Sequence, residues 1–114
     1  MLELFIKTLE KLGYPVKLQG SILPNEDYPD SFFTYWNDSA DGTSYYSNNE
    51  GAILWQYSLN FYSVDLSLVN SKLLEAKALL KEAGFIVSGA GYDVASDEDS
   101  HTGRGIEILF RQKQ

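Results

Sequence analysis

The stretch Ala52-Ile53-Leu54-Trp55-Gln56-Tyr57-Ser58-Leu59-Asn60-Phe61-Tyr62-Ser63 decides how this chain folds. Ile53, Trp55, Tyr57, Leu59 and Phe61 alternate with Leu54, Gln56, Ser58, Asn60 and Tyr62. Successive side chains of a strand point to opposite faces, so this period of two lays one strongly apolar face against a core. A slip of one residue would put that whole set into water, which fixes the register. Upstream, Ser31–Asn37 is dominated by aromatic and β-branched residues and reads as a second strand. Phe32, Thr34 and Trp36 share one of its faces, Phe33 and Tyr35 the other. Bulk on both faces suits a central strand or an interface strand.

Between these strands, residues 38–51 are rich in turn formers: Asp38, Ser39, Asp41, Gly42, Ser44, Ser47, Asn48, Asn49 and Gly51. The composition predicts a long loop, a kind of segment that tends to be functional. Within it, Thr43, Tyr45 and Tyr46 can instead continue the strand pairing outward as a twisted hairpin arm. Their tyrosines, apolar bodies with polar tips, suit docking on a partner or covering a sheet edge.

Two helices flank this centre. Leu2, Phe5, Ile6, Leu9 and Leu12 make one apolar stripe over about residues 2–12, stopped by Gly13 and Pro15. Leu66, Val69, Leu73, Ala76, Leu80 and Ala83 make another over 66–83, with Asp65 as N-cap and Gly84 as stop. Val16–Leu23 suits an edge strand and Pro24–Pro29 a loop. Phe85–Val87 and Tyr92–Ala95 are short strands, 96–105 an acidic loop, and Ile106–Arg111 a last strand before a polar tail. No strand–helix–strand repeat dominates. The expected fold is a single α+β domain over 1–114, with a largely antiparallel or mixed sheet of four to five strands and two helices packed on one face.

With 114 residues and an apolar share of 44%, the chain can build a core without disulfides or metals. It has no cysteine, which removes disulfide frameworks, thiolate zinc sites and thiol nucleophiles. No apolar run is long enough to span a membrane, and Met1–Leu12 lacks the order of regions expected of a signal peptide. The formal net charge is −7, and the nine Lys and Arg residues are scattered, so no basic stripe for sequence-specific nucleic-acid binding is expected.

Candidate chemistry reduces to residues without partners. His101 is the only histidine. Asp93, Asp97, Glu98 and Asp99 lie near it in sequence, but their spacing does not match a calcium loop, and a solvated acidic loop is the expectation. No nucleophile stands in a Gly-x-Ser-x-Gly setting. Gly89-Ala90-Gly91 falls short of a dinucleotide fingerprint, which would need glycine where Val94 stands. In His101-Thr102-Gly103-Arg104-Gly105, glycine allows positive φ or close backbone approach, and Arg104 is placed to pair with Asp97 or Asp99. No cofactor, metal or catalytic residue is expected. The candidate interface residues are Thr43, Tyr45, Tyr46, Asp97, Asp99, His101 and Arg104.

Several stretches carry a family resemblance: Leu12-Gly13-Tyr14-Pro15-Val16, Gln19-Gly20-Ser21, Tyr28-Pro29-Asp30-Ser31-Phe32-Phe33-Thr34, Leu59-Asn60-Phe61-Tyr62-Ser63, Leu73-Leu74-Glu75-Ala76-Lys77, Gly84-Phe85-Ile86-Val87, Gly91-Tyr92-Asp93-Val94 and His101-Thr102-Gly103-Arg104-Gly105. Together they resemble small proteins of phages and prophages of Gram-positive bacteria, similar to head–tail connection or tail-completion (tail-terminator) proteins. The resemblance implies a non-catalytic virion assembly component, some relatives of which close into hexameric rings. Its implied partners are further copies of itself and tail-tube or neck proteins. Its implied location is the host bacterial cytoplasm during assembly and then the virion. A second expectation, from the acidic charge and the aromatic loops, is a binding module of inhibitor or immunity type acting on a basic partner.

Overall fold

The clearest strand of the sequence reading, here β3 (Asn49–Ser63), begins earlier than its apolar alternation does. It belongs to a computed structural model that describes residues 2–18, 30–46, 49–87, 89, 91–94 and 101–113. In chain order the other elements are α1 (Leu2–Glu10), β1 (Val16–Leu18), β2 (Ser31–Tyr46), α2 (Leu66–Glu82), β4 (Ile86–Val87), β5 (Tyr92–Val94) and β6 (Thr102–Lys113). The fold is α+β, with a mixed sheet of six strands instead of four to five, ordered β1-β2-β3-β6-β4. β5 also pairs with β6, end to end with β4 along the same edge. β1 runs parallel to β2, and every other described pairing is antiparallel.

β3 has a neighbour along both sides. Phe33, Phe61 and Arg104 stand side by side across β2, β3 and β6, as do Tyr35, Leu59 and Ile106. The odd-numbered face of β3 carries the core. Tyr57, Leu59 and Phe61 join Phe33, Ile106, Ile108 and Val87 in one buried cluster with Phe5 and Leu9 of α1 and Leu73, Ala76 and Leu80 of α2. Both helices therefore lie on that face. Aromatic geometry locks the layers together. The Phe5 ring stacks on Tyr57 at 5.5 Å and meets Phe85 edge-on at 5.6 Å, while Phe33 and Phe61 are 4.6 Å apart. Such pairs add about 0.5–1.5 kcal/mol each beyond the area they bury.

The helix ends follow from the expected caps. Asp65 Oδ1 accepts from the Ser67 backbone N–H at 3.0 Å. At the other end of α2, Phe85 N donates to Leu80 O and Gly84 N to Lys81 O, with Gly84 at φ +102°. These two bonds are the Schellman arrangement, and they turn the chain directly into β4. α1 stops at Glu10, with Gly13 at φ +85°. At the β3–α2 junction the buried Ser63 hydroxyl pairs with Ser31 Oγ at 2.8 Å and accepts from Asp65 N at 3.0 Å.

Two boundaries differ from the sequence reading. Residues 38–46 and 49–51 are not loop: they are strand, paired from Ser39↔Gln56 out to Tyr46↔Asn49. The hairpin arm is thus the conformation adopted. β6 starts at Thr102, so 102–105 belong to the sheet and not to an acidic loop. Residues 19–29 and 95–100, where a strand end and two loops were expected, lie outside the described residues.

Leu59→Ala removes a side chain that is fully buried at the centre of the cluster. We expect a loss of about 2–5 kcal/mol, read from the denaturant midpoint at unchanged slope.

Candidate functional site

The sheet has two unlike faces. The helix layer covers one. The other carries the even-numbered residues of β3 with their cross-strand neighbours. At one end of it Phe32, Tyr62 and Gly103 stand in a row, and Thr34, Asn60 and Gly105 in the next. All six are buried. The glycines of β6 make this possible. A Cβ on Gly103 would meet the Tyr62 ring at 2.5 Å and Val94 Cγ2 at 2.8 Å. One on Gly105 would meet Asn60 Oδ1, and Tyr92 at 3.0 Å. Neighbouring side chains from β3 and β5 thus lean in over bare backbone. Close approach, not positive φ, is the reason for these two glycines. The left-handed positions are Gly89 and Gly91, at φ +78° and +88° between β4 and β5.

This packing places His101. Its ring lies edge-on to Phe32 at 5.8 Å, and Phe32 stacks on Tyr62 at 5.4 Å. Arg104 goes to the opposite face, across from Phe61. Its guanidinium bonds Asp93 Oδ1 at 2.8 Å and the Gly91 carbonyl at 3.2 Å. It lies in a cleft of about 300 Å³ lined by Leu66, Val69, Asn70, Asp93 and Thr102. The fold therefore separates His101 from Arg104. Among the described residues the partner of Arg104 is Asp93, whose side chain is 92% exposed. A pair so open to solvent contributes about 0–1 kcal/mol. Asp97 and Asp99 lie outside the described residues. Thr43, Tyr45 and Tyr46 stand in β2 opposite Ala52, Glu50 and Asn49, where only their backbone positions are described.

The sequence reading missed a second feature, on the outer edge of β6. The ladder with β4 ends at Val87↔Ile108 and the ladder with β5 begins at Tyr92↔Gly105. The intervening break forms a cavity of about 400 Å³ lined by Ile86, Gly89, Gly91, Tyr92, Ile106, Glu107 and Leu109. Gly89-Ala90-Gly91 was the signal: glycines that match no phosphate loop mark a backbone interruption. The Lys77 ammonium donates to the Gly89 carbonyl at its rim. On the outer side of α2, Lys72 and Glu75 pair at 2.8 Å, and this hydrogen bond holds the lysine above its ordinary value of 10.5.

Among the described residues, no group of three or more His, Asp or Glu side chains is placed to hold a metal ion. No helix there is long and apolar enough to cross a membrane. Comparison with known proteins gives no match to a family model and no match among curated proteins.

Gly103→Ala tests the packing that places His101. Overpacking at this point should destabilise the domain by about 1–3 kcal/mol by chemical denaturation. Asp93→Asn, in contrast, should shift stability by less than about 1 kcal/mol.

Proposed function

We propose that this chain is a non-catalytic component of phage virion assembly, of the tail-completion or head–tail joining kind, acting by docking with copies of itself in a ring and with tail-tube or neck proteins. The observation that carries this reading is the three-stranded arm. The apolar cluster beneath the helices reaches as far along the strands as Trp55 and Phe110. Paired backbone continues beyond it to Tyr46↔Asn49 and to Ala52↔Lys113. Sixteen residues of β2 at about 3.3 Å each span about 53 Å, and the long axis of the molecule is 53 Å.

The arm has two different sides. Among the described residues, β1 accompanies β2 as far as Tyr35, and β4 accompanies β6 as far as Leu109. Beyond those points, no described strand lies outside Trp36–Tyr46 on one side or Phe110–Lys113 on the other. Two unlike edges on opposite sides of one element are what a head-to-tail contact requires, and a ring is such a contact closed by rotation. The resemblance of the sequence to tail-completion proteins gives this geometry a use. The net charge of −7 agrees with a wall past which DNA moves without sticking. The corresponding place of action is the host bacterial cytoplasm during assembly, then the virion.

Light scattering across a range of concentrations, with and without the tail-tube protein of the same genome, is the test. A ring, or a stable complex with the tube protein, is expected. A strict monomer that does not bind the tube overturns the reading. The double variant Tyr45→Ser, Tyr46→Ser should lose that assembly while still unfolding in a single cooperative transition by chemical denaturation.

A further inference from the structure

The face of the sheet away from the helices is buried at one end. It opens at the row Trp36–Ser58–Glu107 across β2, β3 and β6, where Trp36 and Glu107 are exposed. Trp36 is 50% exposed there, although it lies in the middle of a strand. A bulge between Asn37 and Ser39 inserts Asp38 into β2 and re-aims it. Its carboxylate accepts from Ser58 Oγ at 2.6 Å, in the same row. Ser58 therefore has an exposed indole and the exposed carboxylates of Asp38 and Glu107 around it. In the next row Gln56 and Leu109 lead to Ile86, 54% exposed, at the mouth of the 400 Å³ cavity that Glu107 also lines. The cations of this face stand in other rows, Lys17 opposite Thr34 and Arg111 opposite Leu54.

We propose that this open row and the cavity beside it are a docking surface for a basic segment of another protein. An Arg or Lys side chain of the partner lies over the Trp36 ring beside the Asp38 carboxylate, on the side of the row that leads to Glu107, and a neighbouring apolar side chain enters the cavity that Ile86, Leu109 and Glu107 help line. Charge complementarity selects this occupant. A second copy of this chain presents sixteen acids against nine bases, and DNA presents only phosphates. The indole attracts a cation through its π face, and the Asp38 carboxylate held by Ser58, with Glu107 two strands away in the same row, supplies the matching charge. The cavity rewards the residue next to that cation, which separates a protein segment from a simple polyamine. This surface shares Trp36 and Asp38 with one arm edge, but it is a face of side chains and not a backbone edge, and it does not depend on the ring reading.

The probe is a synthetic six-residue peptide alternating arginine and leucine, with a glutamate-for-arginine peptide as control, titrated to millimolar concentration against the isotope-labelled full chain. Expected are saturable NMR shifts at the Trp36 indole N–H and the Ile86 and Leu109 methyls, and none with the control. Trp36→Ala, and separately Asp38→Asn with Glu107→Gln, should each weaken binding about tenfold, the equivalent of about 1.4 kcal/mol. The variant pair Glu10→Gln, Glu82→Gln removes the same charge from the helix layer and should change affinity less than about twofold. Each variant is first checked for unchanged thermal unfolding, and because the two surface variants are independent, the loss of one to misfolding leaves the other as the test. Shifts spread over the whole chain, equal weakening by the helix-layer variant, or no saturable binding of the arginine peptide would each overturn the proposal. Failure of ring assembly with this binding intact would count against the assembly reading alone.

Discussion

Strand β3 is the constraint on which the other elements depend. It has a strand along each side, and its alternation leaves a single register in which Tyr57, Leu59 and Phe61 all face the helices. A shift by one residue would exchange those three for Ser58, Asn60 and Tyr62, placing two polar groups in the core and three large apolar groups outside it. The neighbours inherit this choice. Phe33 and Ile106 are buried because they stand beside Phe61 and Leu59. α1 is held because Phe5 finds Tyr57, Tyr35 and Phe85 within aromatic contact distance. Burial of each such side chain stabilises by about 1.5–3 kcal/mol, and all of it is conditional on one register.

Much of this was legible in the sequence. The stripes of both helices, the Asp65 cap, the Gly13 and Gly84 stops and the apolar face of β3 are local signals, each set by residues a few positions apart. The arm was harder to read because composition and pairing pointed in opposite directions. Asp38, Ser39, Asp41 and Gly42 are turn residues by propensity, yet they stand in a strand because a ladder is built from backbone groups, and β3 was already committed beside them. The start of β6 was hidden for a related reason. Gly103 and Gly105 look like turn glycines, but they are strand positions whose missing side chains are replaced by Tyr62, Asn60 and Tyr92 from neighbouring strands. That substitution involves residues far apart in sequence, and no local pattern encodes it.

The candidate interface residues show the same limit. His101 and Arg104 are close in sequence, and a loop would have allowed them to act together. Once the segment from Thr102 onward is strand, parity puts Arg104 on the helix side of the sheet, where it meets Asp93. His101, one residue before the strand begins, meets Phe32 on the other face. What no count supplies is the bulge at Asp38, which brings a carboxylate to Ser58 and so to the side of Trp36.

Folding has already ordered the strands that the proposed docking would use. A floppy segment 38–51 would lose its backbone entropy on docking, about 1–2 kcal/mol per residue fixed. In the arm, that loss is met during folding by the ladders with β3 and β6. The open face gains in the same way. Trp36 is set by its place in β2, and Glu107 by β6, so the row is assembled before anything binds. Association then sacrifices the mobility of the partner and little of this chain's own. A sheet whose helix-side core stops at Trp55 and Phe110 and whose other face opens from Trp36 onward thus separates stability from the proposed recognition: changes at Leu59 or Phe61 act on the fold, while changes at Trp36 or Glu107 act on what the fold presents.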